Sequence, residues 1–119
     1  MRHPAPARGR LNRLLREAEQ TAFQAFVIDY CGERLRPEIQ LRRISLDYEG
    51  EEGDEDYVLR LEGRANNAKR KALAWIRELQ SDLAAAEPIR AAEVLSSSPE
   101  KGGAWYDFEI ALQANYIRY

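Results

Sequence analysis

From Leu11 onward, apolar residues recur at three- and four-residue intervals. Leu11, Leu14, Leu15, Ala18, Ala22, Ala25 and Phe26 line one side of a helix. Phe23, Val27 and Tyr30 widen that stripe beyond what one buried surface needs, which predicts a helix touching more than one surface. Gly32 and Pro37 are stop signals, so the pattern predicts an amphipathic helix over 11–36. The ten residues before it, MRHPAPARGR, have no apolar period and read as a flexible leader over 1–10.

The period then changes from helical to twofold. In EIQLRRISLDYE, Ile44, Leu46 and Tyr48 alternate with polar residues, while Ile39 and Leu41 fall on the opposite parity. A one-residue bulge at Arg42 or Arg43 returns both sets to one face of a strand. An acidic, glycine-containing loop, GEEGDED, leads to a second strand over 57–65. There Tyr57, Leu59 and Leu61 oppose Arg60, Glu62 and Arg64, as in an antiparallel sheet with one wet face.

Asn66 or Asn67 is positioned to cap a second helix reaching about Ala86, with Ala68, Ala72, Trp75, Ile76, Leu79 and Leu83 as its buried stripe. Pro88 closes it. Ile89–Ser96 reads as a strand of ambiguous parity, SSSPEKGG as a turn, and Trp105–Ala114 as a strand with Tyr106, Phe108, Ile110 and Leu112 on one face. The order αββαββ predicts an α+β fold. Four antiparallel strands with two helices on one face would bury every stripe, a ferredoxin-like arrangement begun at a different element. Residues 11–119 are expected to form that single domain.

Composition narrows the function. With 119 residues, 45% of them apolar and 32% charged, the chain has the balance of one globular domain with a modest core. Eighteen basic against 20 acidic residues leave a formal charge of −2, so no overall polyanion affinity is built in. No apolar run approaches the roughly 20 residues of a membrane helix, and no apolar signal segment opens the chain. Cys31 and His3 stand alone in their types, which excludes an internal disulfide and most histidine-based catalysis.

The remaining chemistry is sparse. Ser96, Ser97 and Ser98 lack an activating base, and Cys31 reads as a small apolar residue at the end of a helix. Seven carboxylates lie between Asp47 and Asp56, yet without the ordered spacing of a calcium loop; a solvated hairpin loop is the plainer reading. Arg2, Arg8, Arg10, Arg13 and Arg16 form a basic N-terminal run, but the strands lack the exposed aromatic pair of an RNA-recognition sheet. The glycines form no phosphate-binding loop, and Gly63 reads as a close-packing or bulge position. No cofactor, metal, nucleic acid or small-molecule substrate is expected, and no enzymatic activity.

Three packing motifs carry a resemblance. They are I-x-L-x-x-I-x-L at Ile39, Leu41, Ile44 and Leu46; L-x-L-x-G-x-A from Leu59 to Ala65 with W-I-R-E-L at Trp75–Leu79; and F-x-I-x-L at Phe108, Ile110 and Leu112. In this order, the stretch from Ile39 to Leu112 resembles the periplasmic domain of PilN-type fimbrial (type IV pilus) assembly proteins, relatives of GspL-type secretion proteins. The resemblance implies a non-catalytic component of a pilus or type II secretion platform, on the periplasmic side of a bacterial inner membrane. It implies pairing with itself or with a PilO-type subunit. Such proteins carry a membrane span and a short cytoplasmic motif. Neither is recognisable here, so either an excised soluble part or a different protein of the same fold remains open, the latter with a cytoplasmic location.

Edge strands and the first helix are the surfaces suited to association. Leu15, Ala22, Phe23, Phe26, Val27 and Tyr30 are the candidate interface residues. The alternative is a small soluble ligand- or lipid-binding module of the BON-like kind, since V-x-L-x-G-x-A before a helix also suits that fold.

Overall fold

The computed structural model describes residues 5–49 and 56–115, with side chains described over 17–48 and 57–115. Helix α1 spans Ala5–Arg34, strand β1 Ile39–Glu49, β2 Asp56–Asn66, helix α2 Ala72–Ala84, β3 Ile89–Pro99 and β4 Trp105–Ala114. The strands form one sheet in the order β1-β2-β4-β3, every neighbouring pair antiparallel. This is the expected ferredoxin-like α+β arrangement, permuted to start on a helix. Hairpins β1–β2 and β3–β4 meet along the β2–β4 seam, which leaves β1 and β3 as the edges.

The bulge falls where the parity change requires it. The β1–β2 register shifts between Leu41 and Arg43, so Ile39 and Leu41 share a face with Ile44 and Leu46. Two further shifts in β3, between Ile89 and Ala91 and between Val94 and Ser96, explain why that strand has no clean alternation. The serine run continues β3 to Pro99 instead of forming a turn. Opposite β4, the backbone groups of Ser96, Ser97 and Ser98 find ladder partners that a turn would not supply. The reversal is confined to residues 100–104, where Gly102 and Gly103 take positive φ of 94° and 73°.

One face of the sheet meets the helices. Leu59, Leu61, Ala65, Phe108, Ile110 and Leu112 are buried there against Ala72, Ile76, Leu79 and Leu83 of α2. Trp75 is half-buried and Ala68 is exposed. The second helix starts later than its pattern suggests because residues 68–70 form a separate 3-10 turn. Asn66 Oδ1 accepts from the Ala68 amide at 2.7 Å and Asn67 Oδ1 from the Ala72 amide at 3.3 Å. Both asparagines therefore bond into this entry, but the residue that precedes α2 is Lys71, which makes no side-chain cap, so neither asparagine is the N-cap expected for the second helix.

Helix α1 starts at Ala5, so positions 5–10, expected as leader, are helical, and the rest of the expected leader, 1–4, lies outside the described residues. Pro6 is compatible because a first-turn proline lacks only an amide that has no intrahelical acceptor. The helix ends at Arg34, between the two stop signals. A turn then bonds the Ile39 amide to the Arg36 carbonyl at 3.0 Å and sends the chain back as β1. Thirty residues of helix span about 45 Å, longer than the sheet that supports them. Accordingly the radius of gyration is 17.4 Å, against about 13.5 Å for a compact domain of this length.

Candidate interaction surface

The two sides of α1 have different fates. Phe23, Val27 and Cys31, spaced four residues apart, are buried in the chain's own core; Val27 has no exposed surface. Phe23 packs edge-on against Tyr57 at 6.0 Å between ring centroids. Phe26 and Tyr30 are half-buried beside them. The short turn into β1 fixes this orientation, because it lays the helix antiparallel to β1 with the 23/27/31 row against the sheet.

Of the six candidate interface residues, Phe23 and Val27 are thus spent inside the subunit and Phe26 and Tyr30 largely so. Ala22 is exposed, and the Leu15 side chain lies outside the described residues. The side facing away from the sheet carries Ala18, Thr21, Ala22 and Ala25, all exposed, and Ile28, which keeps 54% of its surface in water. The sequence does not mark Ile28, because its phase joins the small residues, and alanines do not declare which side of a helix is covered.

Other surfaces are occupied by charge. On the open face of the sheet, Arg60 bridges Asp47 at 2.7 Å and Glu109 at 3.0 Å. Arg42 reaches Glu100 and Asp107 at 3.4 and 3.3 Å. Arg64 lies 4.0 Å over the Trp105 ring and bonds Gln40 at 2.9 Å. This lattice crosses β1, β2 and β4 and satisfies its own charges, so the wet face is a solvated surface of alternating sign. Exposed pairs of this kind add little stability each. The acidic loop falls on residues 50–55, outside the described residues, although Asp47 at its margin is committed to Arg60.

A clamp joins the helices at the end of α1. The Arg36 guanidinium stacks 3.7 Å over the Trp75 ring and pairs with Glu78 at 3.1 Å and Glu38 at 3.4 Å. A recess of about 20 Å³ opens beside it between Tyr30, Leu35, Trp75 and Leu79, room for about one water molecule. Burial pushes the Cys31 thiol above its ordinary pKa, which keeps it protonated and unreactive. Among the described residues, no group of three or more His, Cys, Asp or Glu side chains could hold a metal ion. No helix described is long and apolar enough to cross a membrane.

The fold and this surface define a two-layer α+β domain with a helix that outreaches its own core. Compared with protein-family models, curated proteins and solved structures, the chain matches none.

Proposed function

We propose that this chain is a non-catalytic protein-association domain that dimerises through its first helix. The observation that carries the reading is the division of α1. One side completes the core through Phe23, Val27 and Cys31, while the other leaves Ala18, Ala22, Ala25 and Ile28 in water. A 30-residue helix that projects past its sheet gains most of its stability from packing, so a second surface is the natural complement. The resemblance of Ile39–Leu112 to PilN-type assembly domains supplies the setting: an envelope machine of the type IV pilus or type II secretion kind, with a second copy or a PilO-type subunit as partner. The ligand-binding alternative draws no specific support from the recess beside Trp75, which admits about one water.

Fractionation of the native protein from its source cells tests the setting. An alkaline-wash-resistant membrane protein whose domain is cut by protease added from the periplasmic side is the expected result. A soluble protein untouched by that protease would remove the pilus and secretion setting.

A further inference from the structure

Resting on the reading of this chain as an association domain, we propose that its partner is a second copy of itself, with the two α1 helices packed antiparallel through the face centred on Ala18, Thr21, Ala25 and Ile28. Three observations converge on this pairing. The first is phase. Ala18, Thr21, Ala25 and Ile28 follow a three-four spacing, and Leu11 and Leu14 continue it toward the N-terminus. Positions 11, 14, 18, 21, 25 and 28 are the a and d positions of consecutive heptads. The core residues Phe23, Val27 and Cys31 occupy other phases, so the seam and the core never compete for one side chain.

The second observation is charge. Between residues 5 and 16 the helix carries Arg8, Arg10, Arg13 and Arg16 and no acid. From 17 to 34 it carries Glu17, Glu19, Asp29 and Glu33 against Arg34 alone. A parallel pair would set basic half on basic half and acidic half on acidic half. An antiparallel pair sets each basic half along an acidic one, and the two helix dipoles then also oppose. The third is size. In an antiparallel seam whose facing positions sum to 39, Leu11 meets Ile28, Leu14 meets Ala25, and Ala18 meets Thr21. The large Leu11 and Ile28 thus meet each other toward the two ends of the seam, Leu14 faces the small Ala25, and small residues fill the crossing where the backbones must approach. Positions 15 and 22 then flank that crossing, each two residues from the point directly facing the other, and position 8 lies equally near the point facing Asp29.

The same charge division argues against an anionic membrane as the occupant. The acidic half of the helix, which carries Ala18, Thr21, Ala25 and Ile28, would be repelled.

Sedimentation of the full chain across a concentration series tests the pairing. Dimers are expected, with Ile28→Glu or Ala25→Glu raising the dissociation constant on the order of tenfold or more while the melting of the sheet is retained. Salt provides the sign of the charge term. Raising it from about 0.05 M to about 0.5 M screens exposed charges and should weaken an antiparallel dimer, whereas a parallel one would tighten. Spin labels on Asn12→Cys settle orientation. In the antiparallel seam the two labels are offset along the axis by about 15 residues, or about 22 Å; in a parallel pair they sit side by side. Adjacent labels, salt-strengthened dimers, or a chain that stays monomeric while binding anionic vesicles would each overturn the proposal. A chain that is monomeric throughout overturns self-pairing alone, because the envelope setting is decided separately by fractionation.

Discussion

Gly63 sits where β2 passes the bulge in β1. A methyl group there would lie 2.5 Å from the Gln40 carbonyl oxygen and 3.0 Å from the Phe108 ring. Because the nearer atom is backbone, relief requires the sheet to move. Gly63→Ala should therefore lower stability by about 1–3 kcal/mol, read as a melting temperature reduced by several degrees; an unchanged transition would show that the bulge yields freely. Cys31 is the other residue whose surroundings set its chemistry. Its neutral thiol is favoured in the folded state, so the resulting stability is present below the unfolded thiol pKa of about 8.5 and is lost as pH rises through the higher folded value. A thiol reagent at neutral pH should modify the native protein far more slowly than the denatured one. Equal rates would contradict burial. At this scale the sequence was informative about Gly63, whose place before a helix and late in a strand marked close packing. It was silent on Lys69 and Arg70, which take left-handed φ of 58° and 59° in the turn before α2; no residue preference announces such a conformation for a long basic side chain.

Among the elements, α1 separates core from surface most sharply. Phe23→Ala removes a buried ring from contact with Tyr57 and should cost about 3–5 kcal/mol. Ile28→Ser, in dilute solution where no second molecule is present, should change stability by less than about 0.5 kcal/mol. Chemical denaturation of both variants checks the contrast, and comparable losses would mean that α1 is covered on both sides within one chain. In the sequence the two sides of α1 are joined by the apolar stripe itself. It runs almost all the way round the helix, and only the turn at Arg36–Ile39 decides which arc meets the sheet. Strand pairing was more legible: the parity break at Arg42–Arg43 located the β1 bulge because one wet face forces every residue to declare its side. In β3 the same logic failed. Two register shifts and a serine run remove the alternation, and only pairing with β4 makes Ser96–Ser98 a strand.

For the whole molecule, the order αββαββ, with two helical stripes and four half-buried strands, left few ways to bury the apolar residues, and the observed strand order is one that keeps both hairpins intact. What composition and period could not convey is shape. The helix starts at Ala5, ahead of the apolar pattern, and carries the molecule's radius of gyration to 17.4 Å. A helix segment that leaves its supporting sheet exchanges its amide hydrogens quickly unless another surface covers it. Hydrogen–deuterium exchange along α1, at two protein concentrations on either side of the dimer dissociation constant, therefore reads whether a second molecule covers this helix. Amides in the first half of α1 are expected to become protected as concentration rises, while those of β2 and β4 do not change. Exchange along α1 that is independent of concentration, or protection that appears instead along the β3 edge, would contradict association through this helix.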